Sequence, residues 1–422
     1  MIKITLPHDI VDASVDIPSD KSISHRALIF SSIVKGTTRV EHFMHADDTV
    51  TTMALLKKLG ADIAYDKKSG TVTVKGVGLK FSARTKALWM KESGTTIRLI
   101  AGLLAGQDFP LTLKAAPALK KRPMGRIIAP LSKMGADVKG EECDGKQYPD
   151  LRITPVKALK AISYDSPIAS AQIKSCVLLA GLHAEGVTSV NEPEKSRDHT
   201  ERALKLFGAE LKETPKSVSL LSKKLKSPKR IFVPGDISSA AFLMALGAMR
   251  SEGVPLVLPR IGINPTRDGF LKVLKRMGAR IELANARMDY FEPYADMVVY
   301  PSDLKGVTVK AQELPSMIDE LPMLFTVAAF AQGTTIVEGA KELKVKESDR
   351  IEALRENLAR MGAVMRVTEY LDKKGEKDYR VEIDGGAKLK PVSIRAHHDH
   401  RVAMSMLVAH TVLGEREVTI DM

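Results

Sequence analysis

Seven stretches carry the side chains that could do chemistry. In "PSDKSISHRAL", Lys21, Ser22 and Arg26 open an apolar run. Ser19 or Asp20 can cap a helix there. Lys21 then stands at a helix start, where unpaired N–H groups and the helix dipole attract anions. Ser22 and Arg26 are four residues apart and share a face. "ESGTTIRLIAG" sets Ser93, Gly94 and Thr95 before a second apolar run, with Arg98 in its first turn; Gly94 allows close backbone approach to an anion. "LKKRPMGR" holds Lys120, Lys121, Arg122 and Arg126, and its Pro123 suits a loop or a helix start. "SPIASAQIKSCVLLAG" places Ser166, Ser170 and Gln172 ahead of a third run, where hydroxyls and an amide can hold phosphate oxygens. "PSMIDELPMLFTVAAFA" brings Asp319 and Glu320 to the mouth of an apolar helix, as a cap or a general base. "VKESDRIEAL" supplies Lys346, Glu347 and Arg350, and "AHHDHRVAM" supplies His397, His398, Asp399, His400 and Arg401.

Each stretch alone has an ordinary explanation. The serines cap helices, the basic loop is solvated, and Glu347 and Arg350 make a surface pair worth tenths of a kcal/mol. Together they repeat one theme: helix starts that carry Lys, Arg, Ser or Gln, two of them with acids. That combination suits a multiply anionic substrate with an acid and a base beside it. The adjacent histidines of "HHDHR" are poorly spaced for one helix face, and no second cluster adds ligands, so no metal is expected.

The net charge of +13 admits nucleic acid, but aromatic residues make up only 5%, which leaves few stacking platforms. A cationic cleft for a small anion is the alternative. The start "MIKITLPHDIV" has no apolar segment before a cleavage site, and runs such as "PMLFTVAAFA" are too short to span a bilayer. Cys143 and Cys176 form neither a disulfide framework nor a zinc pattern. A cytoplasmic location is expected.

The elements that must position these groups are repeated. An apolar helical run, a glycine and a β-rich run recur six times, with the glycines at Gly36, Gly106, Gly186, Gly253, Gly333 and Gly414. Each is read as a helix ended by a glycine at positive φ. Between them a second phrase ("LKKLGADI", "LSKMGADV", "LKLFGAEL", "LKRMGARI", "LARMGAVM") ends another helix at Gly60, Gly135, Gly208, Gly278 and Gly362. A sixth copy would fall beyond Met422. Three units per half predict two similar α/β domains with apolar helices buried inside sheets. The paired phrases "IPSDKS" and "VPGDIS" mark the passages between halves, and a strand from Ile2 to Ile17 is expected to join the second half. The division is therefore residues 1–19 with 235–422, and 20–234, with a site in the cleft between them.

The ordered set "DKSISHRA", "SGTTIR", "RPMGR", "SAQIKS", "SRDHTE", "VPGDISSAAF", "IDELP", "VKESDR" and "DHR" resembles the 5-enolpyruvylshikimate-3-phosphate synthase family over nearly the whole chain. The resemblance implies two domains of three βαβαββ-type units each, an inside-out α/β barrel. It implies transfer of the carboxyvinyl group of phosphoenolpyruvate to the 5-hydroxyl of shikimate 3-phosphate, in aromatic amino acid biosynthesis. No metal or organic cofactor, no nucleic acid and no membrane are expected, and a monomer is. Carried over, Lys21 touches both substrates and assists proton transfer. Ser22 and Arg26 hold the shikimate carboxylate, while Ser170, the Ala171 backbone and Gln172 hold its phosphate, helped by Ser196 and Arg197. Lys346 also contacts this substrate. Gly94, Arg122 and Gln172 face the phosphoenolpyruvate phosphate, and Arg350 and Arg401 take its carboxylate. Asp319 accepts the hydroxyl proton and Glu347 protonates the methylene carbon. Gly94 also leaves room for glyphosate.

Three features depart from the family pattern. Glu92 stands where the family often has Asn, "HHDHR" replaces a more usual Asn-Asp-His-Arg, and the family usually continues past "VTID" with another helix. Two alternatives stay open: a UDP-N-acetylglucosamine enolpyruvyl transferase, disfavoured by Lys21-Ser22 and by the absence of a loop Cys in "LKKRPMG", and an inactive, C-terminally truncated homologue.

Overall fold

A computed structural model describes residues 1–6, 14–83, 85–372 and 375–421. The chain divides into a first unit, Met1–Pro18, Gly235–Arg287 and Pro293–Met422, and a second unit, Ser19–Pro234 with Met288–Glu292.

In the second unit the helices Lys21–Ser32, Gly94–Leu104 and Ala171–Gly181 are buried along nearly their whole length. A helix apolar on most faces can only be covered by other elements. Here the middle one packs against the other two, and four-stranded sheets follow them in sequence. The first sheet runs Arg230–Phe232, Gly36–Glu41, Thr71–Gly76, Asp62–Asp66 in space. Its first pair is parallel and the other two are antiparallel. The same order recurs for Ala87–Trp89, Leu111–Lys114, Lys146–Thr154 and Asp137–Cys143, and for Ser163–Asp165, Thr188–Asn191, Ser217–Ser222 and Glu210–Glu213. Each unit of repeat is therefore strand, inner helix, strand, outer helix and hairpin. The return strand of that hairpin carries no signature phrase in the sequence.

The first unit buries the helices Ile237–Met249, Leu321–Phe330 and His400–Val412 in the same way, each packed against the other two. One of its sheets has the full order Thr308–Val309, Thr334–Glu338, Lys377–Asp384, Val364–Leu371. In another, the return strand is supplied by the start of the chain: Ile2–Thr5 pairs antiparallel with Glu417–Asp421, which pairs in parallel with Ile394–Arg395. The strand expected from Ile2 to Ile17 thus covers only Ile2–Thr5, with an isolated bridge from Ser14 to Val257; residues 7–13 of that expectation lie outside the described residues.

The repeated phrase at the passages does the same work twice. Asp20 caps Lys21–Ser32 through the Ile23 amide at 2.8 Å, and Asp236 caps Ile237–Met249 through the Ser238 amide at 2.9 Å. A further pair of passages was not expected. Met288–Glu292 lies between two strands of the first unit, yet it belongs to the second. There buried Glu292 meets buried His199 at 2.6 Å, and the Phe291 carbonyl accepts from Arg202. A five-residue hairpin tip gives no local sign of which distant segment it docks on.

All five glycines of the second phrase have positive φ, as do five of the six in the first. Gly106 is the exception. A side chain there would meet the His183 ring at 2.3 Å, so close packing rather than backbone conformation requires glycine. Gly102 is tighter still against backbone, with a Cβ falling 2.1 Å from the Cys176 carbonyl of the neighbouring inner helix. Gly102→Ala should therefore force the two helices apart and lower stability by about 1–3 kcal/mol. Gly125→Ala, where nothing lies within 4 Å, should not; urea denaturation of both variants checks the contrast.

Candidate active site

The second unit gathers the cationic and hydroxyl groups at the starts of its inner helices. Asp20, Ser93 and Ser170 cap them, each accepting from an amide in the first turn. Cross-links join these starts. Arg98 donates to the Gln172 side-chain oxygen at 3.0 Å, and the Gln172 amide donates to Thr95 at 3.3 Å. Arg26 donates to Ser175 at 2.8 Å, to Thr200 at 2.7 Å and to the Ser22 carbonyl at 3.0 Å. Lys21, Ser22, Gly94, Ala171 and Gln172 thus belong to one neighbourhood of helix N-termini, a setting that favours anions. Lys21 is exposed and pairs with Asp48 at 2.9 Å. Burial would raise the Asp48 carboxyl, but the Lys21 charge and hydrogen bond outweigh it and hold it below its usual value.

The surroundings of Arg98 are short of negative charge. Burial, then the neighbouring Arg122 and Arg126 charges, push the Arg98 guanidinium down to about 10. Burial likewise brings Arg26 down to about 10, despite the nearby carboxylates Glu201 and Asp20. An anion placed here would oppose both shifts. A Cβ on Gly94 would lie 2.9 Å from Arg98 Nη1 and 3.5 Å from Arg122 Nη1, which ties Gly94 and Arg122 to the Arg98 cluster. Ser196 is placed differently from the expectation. Its hydroxyl proton is given to Glu192 at 2.5 Å, so it stands behind the neighbourhood rather than offering a donor to it. Arg197 is half-buried next to it, and Glu92 is exposed.

The first unit assembles the acids. Arg350 is buried at the start of the helix Arg350–Met361 and is the hub. Its Nε donates to Asp399 at 2.8 Å and its Nη2 to Glu347 at 2.7 Å. Its Nη1 lies 3.9 Å from the Asp319 carboxylate and, though buried, has no hydrogen-bond partner among the described residues. Lys346 Nζ is 3.6 Å from the same carboxylate, and Arg401 donates to the Asp319 carbonyl at 3.0 Å. Asp319, Lys346, Glu347, Arg350 and Arg401 are therefore one cluster. Lys346 and Glu347 precede the helix, so the pair Glu347–Arg350 is not a helix-face contact. Glu320 does not cap its helix; its carboxylate accepts from the Ser238 hydroxyl. His397 pairs with Glu356 at 2.8 Å and Asp399 is committed to Arg350. Among the described residues no three His, Cys, Asp or Glu side chains gather in a way that could hold a metal.

The chain matches the family model described as EPSP synthase (3-phosphoshikimate 1-carboxyvinyltransferase) over residues 7–422. The chain belongs to the EPSP synthase family. Among its relatives, the 3-phosphoshikimate 1-carboxyvinyltransferase of Hydrogenovibrio crunogenus is 43% identical over 98% of this chain and 92% of its own. That of Bacillus subtilis is 42% identical over 95% and 91%. The structure of EPSP synthase from Acinetobacter baumannii superposes with a TM-score of 0.83 at 41% identity, covering 96% of this chain and 90% of that one. The enolpyruvyl transferase NikO from Streptomyces tendae shares the fold, with a TM-score of 0.69 at 17% identity. The fold is accordingly the inside-out α/β fold of EPSP synthases. Of the two transferase families left open by the sequence, this match selects EPSP synthase.

Reading the sequence left Arg98 without a role, although it lies in the quoted motif "SGTTIR". Asp48, Glu192 and Thr200 were missed altogether. Asp48 and Glu192 lie outside the quoted motifs and Thr200 lies inside "SRDHTE", but only their partners mark them.

Asp399 offers a test of the Arg350 hub. Burial would raise its carboxyl, but the hydrogen bond and charge of Arg350 prevail and hold it below the usual range. Its stabilisation is present above the ordinary carboxylate pKa and lost as pH falls through the depressed value. Asp399→Asn keeps a capping side chain but leaves buried Arg350 short of charge. We expect a loss of about 3 kcal/mol at neutral pH, shrinking once the pH falls below the ordinary carboxylate range and wild-type Asp399 itself protonates; denaturation across that pH range measures it.

Proposed function

We propose that this protein transfers the carboxyvinyl group of phosphoenolpyruvate to the 5-hydroxyl of shikimate 3-phosphate, releasing inorganic phosphate. Family membership and the names of the relatives support the reaction. The observation that carries it in the chain's own chemistry is the Arg350 hub, where Asp319, Glu347 and a buried guanidinium nitrogen with no hydrogen-bond partner among the described residues meet.

In this reading Asp319 accepts the proton of the 5-hydroxyl as its oxygen attacks C2 of phosphoenolpyruvate. Glu347 gives a proton to the methylene carbon, and a tetrahedral intermediate forms. Phosphate then leaves with the C–O bonding pair, and a methyl proton returns to the protein, which restores the double bond. Arg350 and Arg401 take the phosphoenolpyruvate carboxylate, a task for which the partnerless Nη1 of Arg350 is suited. Gly94, Arg122 and Gln172 take its phosphate. Ser22 and Arg26 hold the shikimate carboxylate. Ser170, the Ala171 amide, Gln172 and Arg197 hold its phosphate, and Ser196 acts through Glu192. Lys21 touches both substrates, and Lys346 steers the hydroxyl beside Asp319. Positioning and electrostatic stabilisation supply most of the acceleration. The reaction calls for neither metal nor organic cofactor, and we assign the protein to the cytoplasm, as a monomer that binds neither nucleic acid nor membrane. No described helix is long and apolar enough to cross a membrane.

Phosphate release from phosphoenolpyruvate should require shikimate 3-phosphate. Release without it, or none with both, would overturn the reading. Asp319→Asn should lower kcat by about a hundredfold or more with far smaller changes in either KM. Glyphosate should inhibit in competition with phosphoenolpyruvate; initial rates across both concentrations decide this, and an uninhibited enzyme at high glyphosate would contradict the room assigned to Gly94.

A further inference from the structure

The inner helix Ala171–Gly181 carries one charged side chain into the interior. Lys174 has a side chain only 3% exposed, with Nζ 2.7 Å from Glu192 Oε2 and 2.7 Å from Glu201 Oε1. It also donates to the Ser196 carbonyl at 3.3 Å. All three of its protons are therefore used.

Glu192 is the partner that matters for the surface above. Its Oε1 accepts from the Ser170 amide at 3.0 Å and from the Ser196 hydroxyl at 2.5 Å. Its Oε2 accepts from Lys174 and from the Ser196 amide at 3.4 Å. One buried carboxylate thus fixes both serines of "SAQIKS" and "SRDHTE". Held this way, the Ser170 oxygen caps its helix by accepting from the Ile173 amide, and its own proton is left to donate elsewhere.

A carboxylate in this position is a liability for an anion site. Without a counter-ion it would repel a phosphate resting on Ser170, and buried like charges cannot both stay ionised cheaply. Burial already pushes Glu201 above its ordinary value; burial would lower Lys174, but the charges and hydrogen bonds of the two carboxylates outweigh it and hold Lys174 above its own. A buried ion pair adds little stability compared with a well-packed apolar group, so stability is a weak reason for a lysine at this point of an otherwise apolar helix.

We propose that Lys174 is a positioning residue for the phosphate of shikimate 3-phosphate: through Glu192 it fixes Ser170 and Ser196, and it neutralises the carboxylate behind them. This rests on the functional reading above. The ligand pair that isolates the effect is shikimate 3-phosphate and shikimate, which differ only in the phosphate.

Calorimetric titration of both ligands into wild type and Lys174→Met tests it. The variant should bind shikimate 3-phosphate about tenfold more weakly, the size of one charge-assisted hydrogen bond, with shikimate affinity unchanged. An equal loss for both ligands, or no loss for either, would overturn the proposal, since a merely structural lysine does not discriminate the two. Far-UV circular dichroism establishes that the variant is folded. If it is not, Lys174→Gln decides, because it keeps a donor towards Glu192 but loses the charge; the same one-sided loss is expected, and an even-handed one refutes the role. A wild-type protein that releases phosphate yet shows no preference for shikimate 3-phosphate over shikimate sinks this inference alone. One that binds neither ligand and releases no phosphate overturns the functional reading first.

Discussion

A helix begins with amide N–H groups that have no partner inside it, and this chain is organised around how those groups are satisfied. Asp20, Ser93 and Ser170 do so in the second unit, and Asp236, Asp349 and Asp399 in the first. Each cap takes one amide and leaves the rest of the N-terminal turn, with its dipole, for other partners. Because the inner helices are apolar elsewhere, their starts are where polar chemistry can gather. Of the proposed site residues, Lys21, Ser22, Gly94, Ala171, Gln172, Arg350 and Arg401 follow such a cap within a turn, and Ser170 is itself one.

The same constraint explains where charge is buried. Arg26, Lys174 and Arg350 all lie within or near the first turn of a helix, a position unfavourable for a cation. Each is held by named acceptors: Thr200, Ser175 and the Ser22 carbonyl; Glu192 and Glu201; Asp399 and Glu347. Such arrangements cost desolvation energy and stabilise the fold little. Their return is geometric. Guanidinium and hydroxyl groups are fixed before any anion arrives, so less ordering remains to be done on binding.

Asp319 shows how far this goes. It precedes an inner helix that lacks a side-chain cap, since Glu320 in the cap position is turned to Ser238 instead. Asp319 is held through its carbonyl by Arg401 and sits near Lys346 and Arg350 through its carboxylate. Three cations thus bracket one acid, drawn from segments far apart in sequence.

Much of this was written in local pattern. Apolar runs of helical length ended by glycine gave the inner helices, and the "LGAD"-like phrases gave the outer ones, because helix ends and positive-φ turns are decided within a few residues. The caps and most site residues were legible for the same reason: they lie in motifs at helix starts. The lengths of Ile2–Thr5, the return strands and the excursion at Met288–Glu292 were not, since strand pairing and docking depend on distant segments. Nor were the partners: Arg98 with Gln172, Lys174 with Glu192, Asp319 with Arg350. The first two pairs are separated by 74 and 18 residues, and Asp319 and Arg350 likewise come from different segments. Sequence by itself determined which residues stand at the helix starts. Tertiary structure decided which of them meet, because a hydrogen bond is short and directional and its partner is chosen only when the helices that carry both are packed.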